Sequence, residues 1–237
     1  MTVSVIVAAA GQGRRMQEKI NKQYLLLKQM PLLARSLQAC IDAACFSQII
    51  VVVTPGEEEI FRRDVLSPWF SRHAITVVAG GEKRQDSVRN GLAALDGSAD
   101  IVCTHDGARP LTEAQLFKDC LQKVKESGSA VAAVPVKDTI KKVAAGGKVL
   151  STPPREQLWA VQTPQFFRRD WLEEAHARAF REGLQTTDDA ALLEYFGYPV
   201  FVVRASYANI KVTTPEDLIV AEALLERRQI HENRNRI

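Results

Sequence analysis

Five short apolar runs, set at intervals between residues 3 and 134, constrain the fold of this chain more than any other feature. Val3-Ser4-Val5-Ile6-Val7-Ala8-Ala9, Ile49 to Val53, Ile75 to Ala79, Ile101 to His105 and Ala130 to Val134 are rich in β-branched residues, which suit a pleated sheet better than a helix. Between them the apolar spacing becomes helical: Leu33, Leu37, Cys40 and Ile41 share one face, as do Val88, Leu92 and Leu95, and Leu116, Cys120, Leu121 and Val124. This alternation predicts an α/β fold with a mostly parallel, doubly wound sheet, helices on both faces and right-handed crossovers. Such sheets bind ligands beyond the carboxyl ends of their strands. The segments that follow those ends are Ala10 to Met16, Gly80-Gly81-Glu82-Lys83-Arg84 and Asp106-Gly107-Ala108-Arg109-Pro110, and they converge on one cleft.

The first of these segments looks built for an anion. Two glycines after a strand let the backbone approach a ligand closely with its N–H groups facing the charge. The spacing is neither that of a P-loop, which needs Gly-Lys-Ser/Thr after four residues, nor that of the dinucleotide fingerprint, which needs a third small residue where Met16 stands. Arg14, Arg15, Lys19 and Lys22 follow instead, a charge density that suits a triphosphate. On the loop alone, a strand-to-helix turn with solvated basic residues is the alternative.

A chain of 237 residues, 46% hydrophobic and 25% charged, can bury one full α/β core. Its net charge of +3 is too small to point to nucleic acid or an anionic membrane. No apolar run approaches a membrane span and the amino terminus has no basic leader, so a cytoplasmic location is expected. Cys40, Cys45, Cys103 and Cys120 lack Cys-x-x-Cys spacing and His partners, which favours reduced thiols over a metal site.

From Val136 the pattern changes. Lys137 to Val143 alternates loosely, Gly146-Gly147 turns and Lys148 to Ser151 returns, the signature of a β-hairpin arm at about 136–158 on a single domain of residues 1–237. With so few large apolar residues the arm must lie on its parent domain or on a second subunit. Beyond it, Trp159 to Gln162 reads as a short strand and Trp171 to Phe180 as a helix. Thr187 or Asp188 caps the next helix, Thr214-Pro215 starts the last, and the tail after Glu226 is expected to fray.

Five motifs now stand in order: Ala8-Ala9-Ala10-Gly11-x-Gly13-x-Arg15-Met16 with Lys22-Gln23-Tyr24; Gly80-Gly81-x-x-Arg84-x-x-Ser87-Val88; His105-Asp106-Gly107-Ala108-Arg109-Pro110; Thr163-Pro164-Gln165-Phe166; and Asn209-Ile210-Lys211-Val212-Thr213. Together they resemble the 2-C-methyl-D-erythritol 4-phosphate cytidylyltransferase family over nearly the whole chain. The resemblance implies a Rossmann-like nucleotidyltransferase fold, of the nucleotide-diphospho-sugar transferase kind, in a homodimer. It implies CTP and a polyol phosphate as substrates, with magnesium or another divalent cation bound mainly through the CTP phosphates. Ribitol 5-phosphate cytidylyltransferase has the nearest other motifs and is the alternative.

In the implied reaction a phosphate oxygen of methylerythritol phosphate attacks the α-phosphorus of CTP in line and pyrophosphate leaves. The nucleophile is already ionised, so no Ser, Cys or His nucleophile and no strong base is needed. The family pattern assigns Arg15 and Lys22 to the triphosphate and Lys211 to the α-phosphate. Ala9, Ala10, Gly11, Gly13, Gly81, Glu82, Ser87 and Ala108 surround the nucleotide, Glu82 being one methylene longer than the Asp common in the family. Asp106 orients metal or substrate hydroxyls and Arg109 holds the acceptor phosphate; from the residues alone, a turn cap with a surface partner stays open for this pair. Thr139 and Arg155 on the arm reach the acceptor on the neighbouring subunit, and Thr163 lines the same pocket from the core. His105 is read as structural.

Two other classes were weighed against these motifs. A nicotinamide-dependent oxidoreductase needs an acidic residue at the end of the second strand, where this chain has Val53-Thr54-Pro55-Gly56. A non-catalytic nucleotide-binding module would not need Arg15, Lys22, Asp106 and Lys211 together.

Overall fold

The computed structural model describes residues 1–11 and 21–234, and no helix among them is long and apolar enough to cross a membrane. Along the chain the strands are β1 (Thr2–Ala9), β2 (Leu26–Leu27), β3 (Met30–Pro31), β4 (Gln48–Val53), β5 (Ile75–Ala79), β6 (Ala99–Asp106), β7 (Ser129–Pro135), β8 (Lys142–Val143), β9 (Val149–Ser151), β10 (Trp159–Arg168) and β11 (Val202–Arg204). The α-helices are α1 (Leu32–Ala43), α2 (Glu58–Phe61), α3 (Ser67–Phe70), α4 (Arg84–Ala93), α5 (Ala114–Ser127), α6 (Arg169–Glu182), α7 (Asp189–Tyr195) and α8 (Pro215–Arg234). Seven strands form one sheet in the order β11-β7-β10-β6-β1-β4-β5. It is parallel except for β10, which runs antiparallel to both β6 and β7.

The central strands β1, β4 and β7 are buried on both faces, which is why they read as nearly continuous apolar runs. Successive residues alternate between two cores, as the two-residue period of a strand demands. Val5, Val7, Val51, Val53, Ile101 and Cys103 face Leu33, Leu37, Phe117 and Val124 of α1 and α5. Ile6, Ile50, Val52 and Val102 face Val88, Leu92, Leu172 and Leu192 of α4, α6 and α7. A third cluster joins Leu27, Leu32 and Leu111 to Val212 and to Ala221 and Leu225 of α8, so the last helix pins the loop that carries Lys211.

Two expectations need correction. Trp159 to Gln162 is not a short strand of its own but the start of the ten-residue β10; Thr163-Pro164 reads as a break, whereas a register shift between Val161 and Gln165 carries the proline inside the strand. The tail after Glu226 stays helical to Arg234, because α8 is fixed at its start. There Thr214 Oγ1 accepts from Asp217 N at 3.3 Å and Asp217 Oδ2 accepts from Thr214 N at 2.9 Å, a reciprocal cap. Strand β11 carries no long apolar run and went unread.

The β8–β9 hairpin stands at the expected arm, with Ile140, Val143, Val149 and Leu150 all 40% exposed or more.

Helix α4 lies close on the sheet because Gly91 has no side chain: a Cβ there would stand 2.5 Å from Ile6 Cγ2. Gly91→Ala therefore sets an overpacking cost of about 1–3 kcal/mol against a helix-propensity gain of about 1 kcal/mol. Urea denaturation is expected to show net destabilisation; equal or greater stability would mean that α4 has slack against β1.

Candidate functional site

Two cavities open at the carboxyl edge of the parallel strands and share a wall. The larger, about 830 Å³, is lined by Ala10, Gly11, Lys22, Gly81, Glu82, Ser87 and Ala108 among others. The smaller, about 260 Å³, is lined by Arg109, Val161, Gln162, Thr163, Gln165, Thr187 and Asp188. Arg84, Asp106 and Lys211 border both.

The shared wall is electrostatic. Asp106 ends β6 and is 5% exposed. Its carboxylate meets Lys211 Nζ at 3.0 Å, Arg109 Nε at 3.3 Å and Arg84 Nε at 3.6 Å. Burial alone would raise its pKa, but Lys211, Arg84 and Arg109 outweigh burial and hold the carboxyl well below the usual range. Behind it, Arg84 Nη1 donates to the fully buried Asp189 at 2.8 Å, and Asp189 also takes Thr104 Oγ1 at 2.9 Å and His176 Nε2 at 3.1 Å. Burial would lower the Arg84 pKa; Asp189 and Asp106 reverse that and keep the guanidinium charged.

Each cation is placed by its own element. Val212 N donates to Ala108 O at 2.8 Å, which lays the Lys211 loop beside the end of β6. Lys22 Nζ donates to Val212 O at 3.2 Å, and the neighbouring Gln23 Nε2 donates to Ala9 O and, at 2.9 Å, to Gly11 O. The end of β1, the turn Lys22–Tyr24 and the Lys211 loop thus form one connected wall. Opposite them, Gly80 is required by close approach: a Cβ would lie 2.4 Å from that of Ala10. Ser87 Oγ then accepts from Gly81 N and donates to Lys83 O, both at 3.1 Å, at the start of α4.

The smaller cavity owes its shape to antiparallel β10. Gln165 pairs with Thr104, so Thr163 falls opposite Asp106, and Thr163 Oγ1 accepts from Asp106 N at 3.0 Å. His105 Nδ1 lies 3.1 Å from the same oxygen. Burial pushes the His105 pKa down to about 3, so the ring is neutral and serves as a hydrogen-bonding and packing group, 5.0 Å from the Phe117 ring.

Of the residues expected from sequence, Ala10, Gly11, Lys22, Gly81, Glu82, Ser87, Asp106, Ala108 and Lys211 line the larger cavity and Arg109 and Thr163 the smaller. Ala9 is buried, with its carbonyl turned to Gln23. Gly13 and Arg15 lie outside the described residues. Thr139 and Arg155 are exposed on the arm, where Arg155 Nη1 donates to Lys137 O at 2.9 Å. Arg109 is a buried partner of Asp106, not a surface one. Sequence reasoning passed over Arg84, Gln23 and Gln162. Arg84 and Gln23 sit inside quoted motifs, and their polarity beside a strand end was the available signal.

Comparison with known proteins gives one answer throughout. The model of the 2-C-methyl-D-erythritol 4-phosphate cytidylyltransferase family matches residues 3–227. The 2-C-methyl-D-erythritol 4-phosphate cytidylyltransferase of Pelotomaculum thermopropionicum is 47% identical over 96% of this chain and 95% of its own. Among solved structures, the 4-diphosphocytidyl-2C-methyl-D-erythritol synthase of Anaerococcus prevotii superposes with a TM-score of 0.83 at 31% identity, covering 95% of this chain and 98% of that one. The Thermus thermophilus 2-C-methyl-D-erythritol 4-phosphate cytidylyltransferase gives 0.78 at 36% identity, covering 95% and 100%.

The depressed Asp106 pKa makes a stability prediction. A carboxyl whose folded pKa lies below its unfolded value of about 3.9 stabilises the fold above that pH, and the contribution is lost as pH falls through the folded value. Asp106→Asn is expected to cost about 3 kcal/mol at pH 7, because it leaves the buried Arg109 without its carboxylate, while Arg84 keeps Asp189 and Lys211 reaches solvent. The cost shrinks as pH drops below about 4. A cost independent of pH in denaturation experiments would mean that the ion cluster does not stabilise the fold.

Proposed function

The chain belongs to the 2-C-methyl-D-erythritol 4-phosphate cytidylyltransferase family, and on that premise we propose a role for each cavity and for the residues between them. The protein joins CTP and 2-C-methyl-D-erythritol 4-phosphate to give 4-(cytidine 5′-diphospho)-2-C-methyl-D-erythritol and pyrophosphate. In our reading CTP occupies the larger cavity and the acceptor the smaller. The observation that carries this assignment is the wall of Lys211, Arg84 and Arg109 around Asp106, which puts cations where two polyanions must meet.

An oxygen of the acceptor phosphate attacks the α-phosphorus, the bond from that phosphorus to the bridging oxygen breaks, and its electrons leave with pyrophosphate. Lys211, on both cavities, stabilises charge that grows on the α-phosphate, and Lys22 holds the triphosphate. Arg15 joins Lys22 by motif alone. Ala9, Ala10, Gly11, Gly13, Gly81, Glu82, Ser87 and Ala108 enclose the nucleotide, while Arg109 and Thr163 hold the acceptor. No cluster of three His, Cys, Asp or Glu side chains stands among the described residues. Asp106 and Glu82 are the carboxylates on the larger cavity, a donor set that fits magnesium, which is held by one or two carboxylates and substrate phosphates. Asp106 would hold it together with the CTP phosphates. When bound, the ion neutralises charge on the phosphate oxygens.

The proposal extends to a homodimer of single-domain subunits that exchange arms at 136–158. Exposed Ile140, Val143, Val149 and Leu150 supply apolar surface for a partner, and Thr139 and Arg155 lie on the arm rather than among the residues lining their own chain's cavities. Four unpaired thiols suit a cytoplasmic setting.

Pyrophosphate release from CTP is expected with 2-C-methyl-D-erythritol 4-phosphate, with ribitol 5-phosphate the poorer acceptor by kcat/KM and EDTA abolishing turnover. A preference for ribitol 5-phosphate would overturn the acceptor assignment.

Arm exchange is tested by complementation. Lys22→Ala and Arg155→Ala homodimers are each expected to be nearly inactive. In a heterodimer both lesions fall in one site and the other is intact, so random subunit exchange restores roughly a quarter of wild-type activity. Exchange without recovery would return Arg155 to its own chain's site.

A further inference from the structure

The acceptor cavity is backed by a residue that touches neither cavity. Asn209 is 2% exposed, and every polar group of its side chain is engaged. Its Nδ2 donates to Gln162 Oε1 at 2.8 Å and to Thr163 O at 2.9 Å, while its Oδ1 accepts from Thr112 Oγ1 at 2.7 Å. Its backbone carbonyl accepts from Arg109 Nη1 at 2.7 Å. Gln162 and Thr163 are thus tied to the side-chain amide of Asn209 and Arg109 to its backbone carbonyl, and all three line the smaller cavity.

Their order along the chain makes this more than packing. Arg109 follows β6, Gln162 and Thr163 lie within β10, and Asn209 comes from the segment after β11. The pairing of β10 with β6 and the Val212 N to Ala108 O bond bring the three backbones together, and the Asn209 side chain links the side-chain and carbonyl groups that face the cavity. A buried amide with two donors and one acceptor satisfied fixes direction as well as distance, since reversing it would set its oxygen against the Thr163 carbonyl, acceptor against acceptor. The chain of bonds continues around the cavity floor: Asp106 N to Thr163 Oγ1, Thr163 Oγ1 to His105 Nδ1 at 3.1 Å, and His105 Nε2 3.5 Å from Thr112 Oγ1, which returns to Asn209. The larger cavity has further anchors of its own, Lys22 being held by the Val212 carbonyl and the end of β1 by Gln23.

We propose that Asn209 is the positioning residue of the acceptor subsite, aligning Arg109, Gln162 and Thr163 for the polyol phosphate while leaving the CTP subsite to its own supports. This rests on the assignment of the smaller cavity to the acceptor. Asn209→Asp is the sharpest probe, since it keeps the shape but sets a carboxylate oxygen against the Thr163 carbonyl.

The experiment measures steady-state kinetics with 2-C-methyl-D-erythritol 4-phosphate and, by calorimetry without acceptor, the Kd for CTP. Asn209→Asp is expected to raise the acceptor KM at least tenfold with CTP Kd within twofold of wild type. Thr112→Val, which removes the hydroxyl that steadies Asn209 Oδ1 and also meets the Arg109 carbonyl at 3.1 Å, gives a smaller rise in the same parameter and decides the matter if Asn209→Asp does not fold. Equal losses for both substrates would mean a general structural role, and an unchanged acceptor KM in a folded variant would overturn the proposal. Wild-type protein inactive with this acceptor would instead overturn the functional assignment.

Discussion

A carboxylate buried among three cations is the interaction on which the rest of this structure depends. Asp106 and Arg109 are buried, Arg84 is partly so and Lys211 reaches solvent at the cleft. A buried ion stripped of its partner costs about 3–5 kcal/mol, so the carboxylate and its guanidinium cannot stand alone. Asp106 therefore fixes Lys211, Arg84 and Arg109 around one point, though they come from three distant parts of the chain. The sheet puts that point at the carboxyl end of β6, with β1 beside it on one side and antiparallel β10 on the other. Nucleotide and acceptor sites follow as the spaces left on either side of a charged wall.

That arrangement accounts for a reaction without a protein nucleophile. Bringing two polyanions together is the main obstacle, and fixed cations in a partly dry cleft meet it without reorganising during the step. The cations are also held back from the open cleft by Asp106, so they stay ordered before any phosphate arrives. His105 beside them is neutral and bonded to Thr163, and takes no charge in the step.

Much of this was legible in the sequence because strand ends are. The apolar runs Val3 to Ala9, Ile75 to Ala79 and Ile101 to His105 stop where polar, glycine-rich segments begin, and in a parallel sheet those stops share an edge. Asp106, Lys22 and Gly81 could be named for that reason. What stayed hidden depended on partners far along the chain. Arg84 stands in a segment expected at the cleft, but nothing nearby in the chain marks its partner Asp189, 105 residues away. Thr163-Pro164 breaks the strand pattern of β10, and only the register against Thr104 shows that the strand continues. Asn209 has no periodicity to mark it, its meaning lying wholly in what it bonds to. Thr139 and Arg155 were named through family likeness, and their use depends on a second chain.

The central claim is that Asp106 and Lys211 act as one unit at the junction of the two substrates. A double-mutant cycle on kcat, using Asp106→Asn, Lys211→Met and the double variant with CTP and 2-C-methyl-D-erythritol 4-phosphate, tests it most directly. The account predicts strong non-additivity, the double variant losing little more than the worse single one. Losses that multiply would show that the two residues act independently and would contradict it.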